Sequence, residues 1–195
     1  MINHYFSKEE LTQSNPTAFS YTFGLNKFTF TTDAGVFCVG RVDRATDILL
    51  QNIPPLQGSL LDMGCGYGCI GIVLAKEYGL QLTQADINPR AVRLTIENAA
   101  QNSVVSSVVK SDCFRQIQGH FNTVIINPPI HAGKNVIFDM YQGSYDHLKP
   151  DGVLYIVILK KHGAQSSIEA LKKIFGNCQI IYKKKGCCIL YCLRD

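Results

Sequence analysis

The segment Asn127-Pro128-Pro129-Ile130 directly follows an apolar run, Phe121–Ile126. Proline fixes φ and carries no N–H, so neither Pro128 nor Pro129 can extend the hydrogen bonding of a strand. Each proline also restricts the residue before it to an extended conformation. The segment is therefore expected to form a rigid ledge with outward-facing acceptors, which suits the binding of a planar amino group. A plain turn after a strand is the alternative interpretation of these residues.

A glycine-rich turn, Asp62-Met63-Gly64-Cys65-Gly66-Tyr67-Gly68, follows a second apolar run. Alternating glycines allow a tight turn and let a ligand approach the backbone closely. Asp86 ends the next apolar run, where its carboxylate can accept both hydrogen bonds of a ribose diol. Asp112 follows a third run and should reach the same crevice, because open α/β sheets bind ligands at the carboxyl ends of their strands.

The turn also contains Gly66-Tyr67-Gly68-Cys69-Ile70-Gly71, which matches the dinucleotide fingerprint G-x-G-x-x-G. Two observations count against a dinucleotide. The fingerprint should begin at the strand end, where Asp62 and Gly64 already lie. A carboxylate beside a pyrophosphate would also be repulsive, whereas it would attract a cationic sulfonium. The acidic turn therefore favours S-adenosylmethionine as the ligand.

Strands and helices alternate from residue 59 onward, which predicts an α/β fold with a parallel sheet covered by helices on both faces. The strands are predicted at Ser59–Met63, Gln81–Asp86, Val104–Lys110, Phe121–Ile126, Gly152–Leu159, Gln179–Lys183 and Cys187–Leu193. The helices are predicted at Cys69–Tyr78, Ala91–Gln101 with Pro89 in its first turn, Val136–Leu148 and Ser166–Phe175. The last two strands are too close for a crossover helix, so one of them must run antiparallel.

Residues 1–58 have a different pattern. It predicts a hairpin of Tyr21–Phe23 and Lys27–Thr31, and then a helix over Val42–Gln51. We expect this segment to pack on a catalytic domain of residues 59–195, as a lid or flap over one edge. A chain of 195 residues corresponds to one compact unit.

The composition excludes several classes of protein. The chain is 46% hydrophobic and 17% charged, too apolar for a disordered protein. Residues 131–195 carry 10 Lys and Arg against 5 Asp and Glu, which hints at an anionic partner or a solvated basic face. No signal peptide or membrane span is recognisable, so we expect a cytoplasmic protein whose eight cysteines are reduced. Their spacing does not predict a metal site.

The motifs together resemble a class I methyltransferase. More specific segments resemble the single-domain relatives of the ribosomal RNA small subunit methyltransferase C family, which are guanine 2-amino methyltransferases. These are the segments 4–7, 32–37, 42–46, 85–91, 127–134 and 160–164. The resemblance implies a Rossmann-like seven-stranded sheet, parallel except for one antiparallel strand at the C-terminal end. It also implies S-adenosylmethionine as donor, S-adenosylhomocysteine as product and no metal.

The resemblance also implies roles for individual residues. The methionine end of the cofactor would lie against Asp62, Gly64, Cys65, Gly66 and Tyr67. Asp86 would hold the ribose, Ile87 would contact the adenine, and Asp112 and Cys113 would bind the adenine amino group. Asn127 and Pro128 would be catalytic, with the side-chain oxygen of Asn127 and the carbonyl of Pro128 accepting from the target amino group. Asn127 would also contact the cofactor.

On the substrate side the expected contacts are Pro129, Ile130, His131, Lys134, Lys160 and Lys161, with His162 nearby and His4, Tyr5 and Phe6 as further stacking candidates. RNA, as ribosomal RNA or a ribosomal particle, is the expected partner, and the chain is a monomer or a homodimer. Many Asn-Pro-Pro methyltransferases carry an aromatic residue where this chain has Ile130. An aliphatic side chain weakens the case for an adenine or glutamine acceptor more than for guanine. Methylation of such another amino group, or a module that binds cofactor without chemistry, are the alternatives.

Overall fold

The computed structural model describes residues 12–195. The segment with His4, Tyr5 and Phe6, for which stacking was a possibility, lies outside the described residues. The strands are β1 (Thr17–Phe23), β2 (Asn26–Thr32), β3 (Ser59–Met63), β4 (Gln81–Asp86), β5 (Ser106–Lys110), β6 (Phe121–Ile126), β7 (Leu148–Leu159), β8 (Gln179–Lys184) and β9 (Cys187–Leu193). The helices are α1 (Arg44–Asn52), α2 (Cys69–Tyr78), α3 (Pro89–Gln101), α4 (Lys134–His147) and α5 (Ala164–Phe175), with short 3-10 turns at Ile130–Ala132 and Lys160–His162.

Seven strands form one sheet in the order β5-β4-β3-β6-β7-β9-β8. β9 pairs antiparallel with both of its neighbours, so β8 runs parallel to β7 and β9 alone is reversed. This confirms the predicted class I methyltransferase sheet with one antiparallel strand at the C-terminal end. β9 returns the chain between β7 and β8, so the tight turn that joins β8 to β9 lies beside the carboxyl end of β7.

The register of the central strands brings three chain segments to the same edge of the sheet. Met63 at the end of β3 pairs with Ala85 on β4 and with Ile126 on β6. The glycine turn, Asp86 and Asn127 therefore leave the sheet side by side. The strand order reverses between β3 and β6, which is where ligands bind in open α/β sheets.

Both faces of the sheet are buried, as expected for a parallel sheet whose strands are nearly continuous apolar runs. One apolar cluster joins α2 to the N-terminal segment, and Phe28, Phe30, Leu49 and Leu50 are almost fully buried in it. The other cluster lies under α4 and α5, with Tyr141 at its centre. The N-terminal segment therefore contributes to one of the two cores of the domain.

The β1–β2 hairpin is attached to α3 by two asparagine side chains. Asn98 accepts from the N–H of Thr31 and donates to its carbonyl, at 2.8 and 2.9 Å. Asn102 makes the same pair of bonds to Thr29, at 3.0 and 2.8 Å. Each amide thus satisfies a backbone donor and acceptor of β2 as a neighbouring strand would. This link between β2 and α3 has no local signature in the sequence, because Asn98 lies inside α3 and Asn102 directly follows its last residue.

Several elements differ from prediction at their ends. α1 begins at Arg44 rather than Val42, because the Asp43 carboxylate caps it by accepting from the N–H groups of Ala45 and Thr46. α4 begins two residues earlier than expected and β7 four residues earlier, at Leu148. β5 starts only at Ser106, since the Val104 N–H still bonds to the α3 carbonyl of Ala99.

Candidate active site

A cleft of about 1080 Å³ opens at the carboxyl ends of the central strands. Its walls come from the glycine turn, the end of β4, the Asn-Pro-Pro ledge and the start of α1. The predicted site residues on its wall are Gly64, Cys65, Gly66, Tyr67, Asp86, Ile87, Asp112, Cys113, Asn127, Pro128, Pro129, Ile130, His131, Lys160, Lys161 and His162. The strand register thus brings together most of the residues that the sequence singled out.

The glycine turn is held from below by strand β4. The N–H groups of Gly64 and Cys65 both donate to the carbonyl of Ala85, at 2.8 and 3.0 Å. Gly64 and Gly66 have positive φ angles of 73° and 59°, which glycine adopts without strain. A Cβ built on Gly66 would meet no atom within 4 Å, so the turn faces open space. The turn therefore offers a bare backbone surface to a ligand.

Asp86 ties the turn to the end of β4. Its Oδ2 accepts from the N–H of Gly66 at 2.8 Å, and its Oδ1 accepts from the N–H of Asn88 at 2.9 Å. A carboxylate can accept about four hydrogen bonds in all, which is the chemistry that a ribose diol requires. The half-buried carboxylate is thus fixed at the cleft wall, as the predicted ribose contact requires.

Asp62 lies beneath the turn rather than on the cleft wall. Its Oδ2 accepts from the N–H of Gly71 at 2.9 Å and from the amide of Gln84 at 3.0 Å. Burial raises the pKa of Asp62 to about 6. Its Oδ1 is buried without a hydrogen-bond partner among residues 12–195. The carboxylate supports the turn, and its predicted contact with the methionine end of a cofactor stays a prediction.

The hydrogen bonds within the turn leave few N–H donors for a pyrophosphate. The N–H groups that a dinucleotide turn would aim at phosphates are used internally, with Gly66 donating to Asp86 and Gly71 donating to Asp62. Two carboxylates thus occupy the positions in which a Rossmann turn would bind an anion. The environment suits a cationic ligand, as the sequence argument for a sulfonium anticipated.

The Asn-Pro-Pro ledge faces the glycine turn across the cleft. The Asn127 amide donates from Nδ2 to Oγ1 of Thr46, on α1, at 3.1 Å. This bond fixes the amide orientation and leaves Oδ1 of Asn127 as an acceptor. The carbonyl of Pro129 accepts from the N–H of Ala132 inside the 3-10 turn, at 2.9 Å. Of the two proline carbonyls, the one on Pro128 is therefore better placed to accept from a ligand.

Comparison with known proteins identifies the family of this chain. Residues 27–191 match the methyltransferase small domain family, and so cover the glycine turn, Asp86 and the ledge. The chain belongs to this family. Membership confirms S-adenosylmethionine as the methyl donor, and the residues of the turn fit it: an open glycine surface, a fixed carboxylate at Asp86 and an unpartnered buried oxygen on Asp62.

Relatives of this methyltransferase are found by sequence and by structure. Protein YbxB of Bacillus subtilis (strain 168) is 40% identical over 95% of this chain and 96% of its own length. Ribosomal RNA small subunit methyltransferase C of Aeromonas hydrophila is 41% identical over 63% of this chain. The 16S rRNA guanine N2 methyltransferase of T. thermophilus, solved with AdoMet and guanosine, superposes with a TM-score of 0.84 at 24% identity.

The chain spans only part of the methyltransferase C relatives. The match covers 37% of the Aeromonas protein and 52% of the T. thermophilus structure, although it covers 94% of this chain in the latter case. These relatives confirm the predicted resemblance to the methyltransferase C family.

The far end of the donor pocket in this methyltransferase is more open than the turn. Ile87 and Cys113 line it, and Cys113 takes a positive φ of 48°. Asp112 is half exposed and pairs with Arg115 at 3.2 Å. Its predicted contact with an adenine amino group therefore competes with a surface ion pair. The structure places these residues at the cleft, and their contacts with the donor stay predictions.

The basic residues divide into two groups. Lys160, Lys161 and His162 lie at the mouth of the cleft, on the 3-10 turn after β7, and His131 lies on the turn after the ledge. Lys134 is exposed at the start of α4 and is not on the cleft wall. A substrate contact from Lys134 thus has no support in the position of this residue.

Several residues of the cleft were not singled out as functional from the sequence, among them Thr46, Phe37 and Lys185. Thr46 contacts the ledge, Phe37 is an aromatic side chain with 60% exposure, and Lys185 lies on the turn between β8 and β9. Thr46 and Phe37 both lie in segments that carry the family resemblance, and this resemblance is the sequence feature that could have indicated them. Lys185 belongs to the run Lys183-Lys184-Lys185, which as a sequence is more typical of a polar turn.

The cysteines near the cleft do not form a reactive thiolate or a metal-binding cluster among the described residues. Burial raises the pKa of the Cys65 thiol well above its ordinary value, and it raises that of Cys69 as well. Both thiols are therefore uncharged near neutral pH and serve as small apolar groups. Within residues 12–195 there is no group of three or more His, Cys, Asp or Glu side chains that could hold a metal ion. No helix in the same range is long and apolar enough to cross a membrane.

Proposed function

We propose that this protein transfers a methyl group from S-adenosylmethionine to the exocyclic 2-amino group of a guanine in RNA, specifically in small-subunit ribosomal RNA. The observation that carries the proposal is the oriented Asn127 amide on the cleft wall, which donates from Nδ2 to Thr46 and so keeps its oxygen as an acceptor. The names of the methyltransferase C relatives support the choice of ribosomal RNA.

The acceptors of the ledge can activate a poor nucleophile. The lone pair of an exocyclic amino group is delocalised into the base, so the group is a poor nucleophile. Oδ1 of Asn127 and the carbonyl of Pro128 can each accept one N–H of the amino group and hold it out of conjugation. S-adenosylmethionine, when bound, supplies an electrophilic methyl group on a cationic sulfur. The two acceptors then aim the lone pair at that methyl group, and such positioning can supply much of the rate.

Proton removal needs no strong base in this scheme. The amino nitrogen becomes acidic once it carries the methyl group, so its proton can leave to a neighbouring oxygen or to water. Asn127 and Pro128 provide neutral oxygens that accept hydrogen bonds from the amino group, and the proton then leaves to water. The rate should therefore depend on geometry at the ledge more than on the titration of a catalytic base.

Guanine is favoured over the other planar acceptors for two reasons. Ile130 lines the cleft and offers an aliphatic surface, without the aromatic stacking expected in enzymes that clamp adenine or glutamine. A relative with the same fold was solved with guanosine in addition to AdoMet. A module that only binds cofactor is disfavoured, because the glycine turn and Asn127 are both present and meet at one cleft.

The decisive experiment compares the modified nucleosides of ribosomal RNA in a strain that lacks the gene and in its parent. We expect the deletion strain to lose one N2-methylguanosine, and the purified protein with S-adenosylmethionine to restore it on the isolated RNA or on the assembled small subunit. A catalytically inactive Asn127→Ala protein is the matched control. Loss of a methyladenosine, or of glutamine methylation in a ribosomal protein, would move the assignment to that acceptor.

A further inference from the structure

We propose that Lys185 joins Arg44, Lys160 and Lys161 in a basic rim that binds the phosphodiester backbone of the RNA on the acceptor side of the cleft. The inference rests on the proposed RNA substrate and adds the surface that holds it. Three separate segments supply the rim: the start of α1, the 3-10 turn after β7 and the turn between β8 and β9. All four residues line the cleft.

The topology of the sheet places the last turn at the functional edge. β9 is inserted antiparallel between β7 and β8, so the turn at Lys185 and Gly186 lies next to the end of β7. The N–H of Lys160 donates to the carbonyl of Gly186 at 2.8 Å. This bond ties the two lysine-bearing turns together. The rim is therefore a fixed feature of the fold rather than a chance meeting of long side chains.

The backbone at Lys185 is the second observation. Lys185 and Gly186 have φ angles of 48° and 80°, so both central residues of this two-residue turn are left-handed. Such turns strongly favour Asn-Gly, because asparagine tolerates a positive φ better than lysine. Here the second position has the favoured glycine and the first has a lysine. Asparagine at this position would relieve the backbone strain. We therefore attribute the lysine to its side-chain charge, which can bind an RNA phosphate.

Within residues 12–195 the rim cations have no ion-pair partner. The ion pairs found in that range involve Arg90, Arg93 and Arg115, and none involves a member of the rim. The carboxylate of Asp43, next to Arg44 in the chain, is engaged in capping α1. Several cations at a cleft mouth that are not neutralised by ion pairs attract an anionic ligand. Two further lysines, Lys183 and Lys184, extend the positive charge along β8.

The test uses the full chain and three variants. Lys185→Asn removes the charge while giving the turn its preferred residue, and Lys160→Gln with Lys161→Gln removes the neighbouring pair. Lys173→Gln is the matched control, because Lys173 is exposed on α5 and is absent from the cleft wall. Two quantities are measured: the binding of a fluorescein-labelled single-stranded RNA between 50 and 300 mM salt (roughly the range in which phosphate contacts are resolved), and the melting temperature.

We expect Lys185→Asn to bind the RNA about 3- to 10-fold more weakly at low salt and to lower the slope of log affinity against log salt by about 0.7 to 1. Its melting temperature should equal or exceed that of the parent, and its affinity for S-adenosylmethionine should be unchanged. The double variant should lose about twice the slope, and Lys173→Gln should bind RNA as the parent does.

An unchanged salt slope for Lys185→Asn would overturn the inference, as would an equal loss of slope in Lys173→Gln. A fall in melting temperature would also contradict it, since the lysine would then have a structural role at the turn. Failure of the proposed function has a different signature. In that case the parent protein transfers no methyl group to ribosomal RNA from the deletion strain, and the binding measurement still decides whether the basic rim holds RNA.

Discussion

The two walls of the cleft are built in different ways. On the donor wall, the glycine turn and Asp86 are held by hydrogen bonds within the two neighbouring strands β3 and β4 and the residues that follow them. On the acceptor wall, Asn127 is oriented by Thr46, a residue 81 positions earlier in the chain and outside the seven-stranded sheet. The backbone of the donor turn is thus held locally, although Tyr67 and Asn88 beside it also bond to the N-terminal segment, at the carbonyls of Arg41 and Gly35. The Asn127 amide, in contrast, takes its orientation from that segment.

This difference separates binding from turnover. The donor turn should bind its cofactor even when the ledge is altered, because the hydrogen bonds that hold the N–H groups of Gly64, Cys65 and Gly66 go to Ala85 and Asp86 and not to the ledge. The acceptor wall controls the geometry of transfer through one amide. Substitutions on the two walls should therefore affect different measured quantities, and four of them test the division from the largest expected effect to the smallest.

Asn127→Ala should have the largest effect, because it removes the oriented oxygen that accepts from the target amino group. We expect kcat for methyl transfer to fall by roughly 10²–10³-fold or more. The affinity for S-adenosylmethionine, measured by calorimetry, should change less than about threefold. A variant that retains the activity of the parent would show that Asn127 has no part in the mechanism. It would also contradict the division of binding and turnover between the two walls.

Asp86→Ala should produce the opposite pattern on the donor wall. It removes a carboxylate that holds the Gly66 N–H and that is placed for a ribose diol, so the dissociation constant of S-adenosylmethionine should rise by about 10²-fold. Asp112→Asn is the matched comparison on the same wall. Because Asp112 is half exposed and paired with Arg115, its effect should stay below about tenfold. Equal effects of the two substitutions would contradict the assigned ribose contact.

Thr46→Val should show that the ledge depends on the N-terminal segment. The valine keeps the shape of the side chain and removes the acceptor for the Asn127 amide. One neutral hydrogen bond is worth about 1 kcal/mol, so kcat should fall about fivefold to tenfold with little change in KM for the donor.

Thr46→Ser provides the control, since it restores the hydroxyl and should restore kcat. A loss of kcat in both Thr46 variants would point to packing of α1 rather than to the hydrogen bond.

Asp62→Asn should have the smallest effect, on stability rather than on turnover. Burial raises the pKa of Asp62 to about 6, above the value of 3.8 expected in the unfolded chain. The folded protein therefore holds more protons than the unfolded one between these values, and the contribution of Asp62 to stability falls as the pH rises through that window. Asparagine keeps an acceptor for the N–H of Gly71 and cannot ionise.

The Asp62→Asn protein should thus be more stable than the parent by roughly 1–3 kcal/mol at pH 8 and about equally stable at pH 4, as measured by urea unfolding. Its affinity for S-adenosylmethionine should fall if Oδ1 of Asp62 receives the cationic end of the donor. A variant that is less stable than the parent at pH 8 would show that the carboxylate is favourable where it lies, through its bond at the start of α2.

The comparison of the two walls also explains what the sequence could predict. The strands, the glycine turn, Asp86 and Asn127 have local signatures, so their places in the fold followed from the order of apolar runs. The contact between Asn127 and Thr46 has none, because it joins two distant segments through side chains. The attachment of β2 to Asn98 and Asn102 escaped prediction for the same reason.

The positions of charged residues were harder to predict than their presence. Asp62 was expected on the cleft wall and lies beneath it, because its carboxylate bonds to the start of α2. Lys134 was expected at the cleft and lies outside it. Lys185 lies in a lysine run that is typical of a polar turn, and it nevertheless lines the cleft, because the insertion of β9 between β7 and β8 brings that turn to the carboxyl edge. Side-chain direction at element ends depends on tertiary contacts, which a residue pattern does not encode.

The bond between Asn127 and Thr46 has a consequence for the order in which this protein becomes competent. The glycine turn and Asp86 bond to each other within residues 59 onward, whereas the Asn127 amide is oriented only when α1 is docked. Val36 and Phe37 of the same N-terminal segment also line the cleft. A chain whose N-terminal segment has detached should therefore lose transfer completely while it retains only part of the donor surface, so that methylation reports on the folding of the whole chain.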